Sequence, residues 1–134
     1  MALTPITKGM ADGAEAIQAN FAAIGVIERG TNANGNYVKF ADGTMICYNR
    51  VAKNGLDLTN TWGALYITPE IQTVFPATFF EQPVISVNIE NINRDGAVWM
   101  NALTSVGSFT GRFVRGTSIT FNATMGWMAI GRWK

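Results

Sequence analysis

From Tyr37 to the end of the chain, apolar and polar residues alternate in short runs separated by Gly, Asn, Asp and Pro. The runs are "YVKF", "TMICYNRV", "ALYIT", "IQTVF", "VISVNIENI", "AVWMNALTSV", "FTGRFVR" and "SITFNATMGWMAIGRW". They are rich in Val, Ile, Thr, Phe and Trp, which suit a pleated, half-buried surface. The breaks fall at "ADG", "KNG", "FPATFFEQP", "NRDG", "VGS" and "RGT". This spacing predicts an antiparallel β-sandwich of about 100 residues. "ADG" predicts a tight hairpin with Gly43 at a positive φ, and "NRDG" predicts a second hairpin. Pro76 and Pro83 belong at strand ends or in loops, because proline cannot donate to a central ladder. Both faces of "GWMAIGRWK" are largely apolar, which predicts a central strand covered on both sides, with Trp127 in the core. Trp133 is either a lid on that core or an exposed ring.

The first part of the chain follows a different period. Leu3, Met10, Ile17 and Ile24 recur every seven residues, and Ala14 and Phe21 fall four after Met10 and Ile17. Alternating steps of four and three make a coiled-coil seam. Asp12 and Glu15 form a capping box, and Gly25 ends the element, so the pattern predicts a helix from Asp12 to Ile24. A helix this short is marginal alone and must pack on something. It lies either against its own β domain or in a parallel bundle with copies of itself, through Met10, Ala14, Ile17, Phe21 and Ile24. "ERGTNANGN" shows no period and predicts a polar linker over 28–36. The expected organisation is therefore mainly β: an oligomerisation helix (1–27), a linker (28–36) and a β-sandwich head (37–134).

Composition narrows the chemistry. Only 14% of residues are charged, against about 25% in an ordinary globular domain. The shortfall points to surface covered by other chains, although a small all-β protein can show it alone. The net charge of +1 comes from scattered residues, without the basic stripe that nucleic-acid binding needs. Histidine is absent and Cys47 is the single cysteine. That removes a His general base, Ser–His and Cys–His nucleophile pairs, and His or Cys metal sites, so neither a cofactor nor a metal is expected. Cys47 lies within "TMICY" and is expected as a buried, inert thiol. No apolar run resembles a signal peptide or reaches the ~20 residues of a membrane span. The acids of the β region, Asp57, Glu70, Glu81, Glu90 and Asp95, stand apart, without the paired carboxylates that glycoside cleavage requires. An enzyme is not expected.

Sugar recognition needs an aromatic ring to stack on C–H groups and planar polar groups to bond hydroxyls. "NINRDGAVWMNA" brings Arg94, Asp95, Trp99 and Asn101 around one turn, and Trp62 stands in the polar stretch "LTNTWGAL". These five residues are the candidate saccharide contacts. The alternative is a solvated turn beside a core Trp99, with Trp62 pinning its own loop.

"TKGMADGAEAIQANFAAI" resembles the N-terminal helix of baseplate receptor-binding proteins from phages of lactic acid bacteria. "NGNYVKFADGTMICYNRV" is similar to the opening hairpin of many phage tail-fibre C-terminal domains. "QTVFPATFFEQPVISVNIEN" and "WMAIGRWK" resemble parts of H-type lectin-like sandwiches. The resemblance implies a homotrimer with bundled helices, docked through the helix on an upper baseplate or tail protein. It also implies heads that adsorb the virion to host cell-wall saccharide, in a protein synthesised in the bacterial cytoplasm. Neither nucleic acid nor membrane is implied as a partner. A purely structural tail or baseplate protein that binds only virion proteins is the competing reading.

Overall fold

The computed structural model describes residues 25–134, and the expected helix with its seam residues Met10, Ala14, Ile17, Phe21 and Ile24 lies outside them. The described residues are all β, in two antiparallel sheets that share one core. Sheet one has the order β1-β2-β3-β10-β7. Its strands are β1 (Val26–Asn32), β2 (Gly35–Phe40), β3 (Thr44–Leu58), β10 (Ile119–Arg132) and β7 (Val84–Glu90). In sheet two, β9 (Ser108–Arg115) is central. On one side it pairs with β5 (Leu65–Ile67) and β6 (Ile71–Val74), and on the other with β8 (Val98–Thr104). Strand β4 (Asn60–Trp62) lies outside β5.

The two-residue period sets the faces. Along β10, Phe121, Ala123, Met125, Trp127 and Ala129 are buried, and along β9 Phe109 and Phe113 are fully buried. Aromatic rings fill the space between the sheets. Phe109 meets Trp127 edge-on at 5.5 Å and Phe75 meets Phe79 at 5.1 Å. Trp133 packs against this core and donates its indole N–H to Phe40 O at 2.8 Å, so it is the lid. Cys47 is buried as expected, and burial pushes its thiol pKa up to about 11.

The "ADG" hairpin forms as predicted, with Gly43 at φ 97°. Four expectations are corrected. The segment 28–36 is not a linker: β1 covers most of it and pairs with β2 through Arg29–Val38 and Thr31–Asn36. The sandwich therefore includes residues before Tyr37. "KNG" is not a turn either. β3 runs straight through it: Asn54 and Gly55 form a bulge opposite Asn122 of β10, with Gly55 at φ 66° and its N–H bonded to Asn122 Oδ1 at 2.8 Å. A bulge absorbs the irregular residue without ending the strand. "NRDG" does not close a hairpin, because β7 pairs with β10 and β8 with β9. The turn carries the chain from one sheet to the other. Finally, β10 is central but covered on one side only: Met128 and Ile130 are each 42% exposed.

Candidate saccharide-binding face

The open side of β10 belongs to the outer face of sheet one. Register places Thr31, Asn36, Tyr48, Met128 and Ser86 side by side, one from each strand. Strands lie about 4.8 Å apart, so this row is roughly 19 Å long. On one flank run Val38, Ile46, Ile130 and Val84, and on the other Arg50, Gly126 and Asn88. All of them share the row's face, because residues two apart on a strand point the same way.

Over this face lies a depression of about 500 Å³, lined by Asn36, Tyr48, Arg50, Ser86, Asn88, Gly126 and Met128, with backbone from the neighbouring strand positions. Gly126 makes its floor. A Cβ there would stand 2.7 Å from Asn88 Oδ1, so a side chain would push the amide aside and fill the hollow. Glycine inside a strand commonly marks such a close approach. Tyr48 is 45% exposed, presenting a ring. Arg50 is held in place by Glu90 across the sheet. Thr31 Oγ1 donates to Asn36 Oδ1 at 2.8 Å. A second depression of about 250 Å³ adjoins the first and shares Asn36 and Tyr48 with it; Arg29, Gly30, Thr31, Tyr37 and Val38 line the rest. On the opposite face of β1, Glu28 is bonded to Lys39 at 3.1 Å, and that bond, helped by Tyr37, holds its carboxyl below the usual carboxylate range.

Of the residues singled out from sequence, Trp62, Trp99 and Asn101 lie on sheet two, and Arg94 and Asp95 on the crossover that leads to it. Asp95 is paired with Arg115 Nη2 at 3.6 Å, and its own N–H is bonded to Asn91 Oδ1 at 2.8 Å. Arg115 also donates to Gly96 O and Thr117 Oγ1, so these bonds tie the crossover to the end of β9. Arg94 sits at φ 63° with an exposed side chain. Trp99 and Asn101 share a face as expected and are bonded at 3.2 Å. The Trp99 ring, however, packs edge-on to Phe113 at 5.0 Å and Phe109 at 5.7 Å, and a Cβ on Gly111 would collide with it. Asn101 then donates to Thr104 Oγ1 at 2.7 Å. Trp62 is 52% exposed at the β4–β5 hairpin, opposite Leu65. Leu65 lines a separate depression of about 540 Å³ that also includes Gly96, Ala97, Val98, Val114, Arg115 and Gly116. Its walls are mostly apolar, and only Arg115 brings a polar side chain to it.

The trough on sheet one escaped sequence reasoning, because its residues come from four strands, β2, β3, β7 and β10, spread from Asn36 to Met128. The available signal was Gly126, a lone glycine between Met125 and Trp127 in an otherwise strong strand pattern.

No family model and no curated protein matches the chain. Among solved structures, the fold is similar to the R1 pyocin fibre of P. aeruginosa, at TM-score 0.60 and 16% identity, with 98% of this chain matching 35% of that one. An N-truncated R1-type pyocin tail fibre matches at TM-score 0.60 and 15% identity, over 92% of this chain and 98% of that one. An N-truncated R2-type pyocin tail fibre matches at TM-score 0.56 and 14% identity, over 98% of this chain and 49% of that one. This chain thus spans about a third of the longer R1 fibre structure and nearly all of the truncated one.

Proposed function

We propose that the chain is the receptor-binding part of a phage-type tail fibre, a virion protein that holds host-envelope saccharide in the trough on sheet one. The observation that carries this reading is the open face of β10, with Gly126 as floor, Tyr48 and Met128 as apolar surface, and Asn36, Ser86, Asn88 and Arg50 around them. A ring beside planar amides and a guanidinium is the chemistry that grips a sugar. The tail-fibre fold supports the same reading.

Binding without cleavage is part of the proposal. Glu90 is occupied by Arg50 and Asp95 by Arg115, while Glu70 stands 4.0 Å from Arg112. Asp57 and Glu70 line one depression of about 350 Å³, but Asp57 accepts a hydrogen bond from Thr59 Oγ1 and Glu70 faces Arg112, so neither stands as the free acid or base that hydrolysis uses.

We further propose a homotrimer, docked on the tail or baseplate through its N-terminal segment. A second surface supports it. The free edges β7 and β8 are joined by the 91–97 crossover, and there Val84 is 77% exposed, Ile92 96%, Val98 73% and Leu103 66%. An apolar pair of unpaired strand edges invites covering by another chain. Trimerisation also suits weak sites: a sugar site near millimolar has about −4 kcal/mol, and linking sites adds roughly 10²–10⁴ in avidity. The competing structural role draws on this same apolar edge, which is protein-contact chemistry.

The test is fluorescent labelling of intact cells by the purified protein, on panels of lactic acid bacteria and of P. aeruginosa. Labelling that Tyr48→Ala abolishes, in a variant that still folds and assembles, supports the reading. Labelling of no strain, or labelling indifferent to both Tyr48→Ala and Asn88→Ala, refutes it in favour of the structural role.

A further inference from the structure

The two depressions on sheet one are not separate hollows. They share Asn36 and Tyr48, so the Tyr48 ring stands between them with space on either side. A single sugar would occupy one and leave the other empty. The row Thr31–Asn36–Tyr48–Met128–Ser86 crosses all five strands at one level. Its two flanks differ: Val38, Ile46 and Ile130 are apolar, whereas Arg50 and Asn88 are polar. A chain of linked rings lying along the row would meet a carbon surface on one side and hydrogen-bonding groups on the other.

The other guanidiniums on this face already have partners: Arg50 is paired with Glu90, and Arg132, two residues beyond Ile130, donates to Asp42 O and Lys134 O. Arg29 lines the smaller depression, is exposed, and has no carboxylate partner among the described residues. An unpaired guanidinium at the end of a groove is matched by a carboxylate or phosphate, which it can grip with two parallel bonds.

Resting on the saccharide reading above, we infer that the ligand is a linear glycan of at least two linked rings that crosses the strands of sheet one, with an anionic group at the Arg29 end. Tyr48 is the platform both rings share, Asn88 and Ser86 bond the distal ring, and Arg29 selects for the charge.

The experiment measures dissociation constants of the full chain for N-acetylglucosamine, uncharged chitotetraose, hyaluronan tetrasaccharide and pentamannosyl 6-phosphate. The last two separate a carboxylate from a phosphate source. A tetrasaccharide should bind at least ten-fold more tightly than the monosaccharide. At least one anionic probe should bind about five-fold more tightly than chitotetraose, and that advantage should vanish in 0.5 M NaCl and in Arg29→Gln, since exposed charges are screened by salt. Equal affinity for monomer and tetramer overturns the extended site, and an anionic preference that survives Arg29→Gln overturns the role of Arg29. On cells, labelling lost in Tyr48→Ala but unchanged by Arg29→Gln at every salt concentration leaves the adhesin reading standing and removes this inference. Absence of any cell labelling removes the adhesin reading itself.

Discussion

The trough of sheet one and the 91–101 segment of sheet two contain nearly the same chemistry: an aromatic ring, an arginine and side-chain amides. They use it in opposite ways. In 91–101, Asp95 meets Arg115, Asn91 bonds the Asp95 backbone, Asn101 bonds Thr104, and Trp99 lies against Phe109 and Phe113. These groups satisfy one another and hold a crossover between sheets. In the trough, Arg50 is held by Glu90 and the Thr31 hydroxyl by Asn36, but Tyr48, Ser86 and Asn88 line an open hollow over Gly126. The residue types in a segment therefore do not mark a binding site. What marks it is whether those residues find their partners inside the chain.

The largest effect is expected at Gly111, whose missing side chain makes room for Trp99. Gly111→Val should destabilise the fold by about 3 kcal/mol, because the new side chain meets the Trp99 ring and the Met100 carbonyl with no room to yield. Chemical denaturation measures it, and binding per folded molecule should not change. A Gly111→Val protein as stable as the parent would mean that Trp99 is not packed as core.

Cys47 gives a second large effect, through pH. Its thiol is raised in the folded state from an ordinary value near 9 to about 11. The unfolded chain ionises first, so this contribution to stability is complete below pH 9 and is lost as pH rises through 11. The loss should reach about 3 kcal/mol. Comparison with Cys47→Ala isolates it from the titration of Lys and Tyr. Native protein should also resist iodoacetamide at pH 8 until it is unfolded.

Binding comes next. Tyr48→Ala should weaken saccharide or cell binding at least ten-fold, or about 1.4 kcal/mol, with the melting temperature unchanged within about 2 °C. The smallest effect is expected at Asp95. Its ion pair with Arg115 is largely shielded, so Asp95→Ala should cost about 1 kcal/mol, a drop of roughly 4 °C in melting temperature. Cell binding should remain. Loss of cell binding without loss of stability would move the site to sheet two and reverse the comparison.

Much of the sandwich was legible in the chain. The "ADG" hairpin, the buried Cys47 and the core side of β10 depend on neighbours in sequence, where a two-residue period or a single turn glycine is decisive. The "NRDG" turn was misleading for a physical reason. Asn, Asp and Gly allow the chain to reverse, but they do not choose which strand receives it, and here β10 and β9 are the partners. The strand within 28–36 was illegible because an edge strand that ends in polar Thr31 and Asn32 carries little apolar alternation.

The β class, the strand-rich stretches and the buried side of most strands follow from alternation and turn chemistry within a few residues, and so were readable along the chain. Only the tertiary structure decided that Thr31, Asn36, Tyr48, Ser86 and Met128 stand in one row. It also decided that Asp95 closes on Arg115 and that one face of β10 stays open. Strand order and register bring together residues up to about a hundred positions apart, and such long-range pairing leaves no trace in a local period.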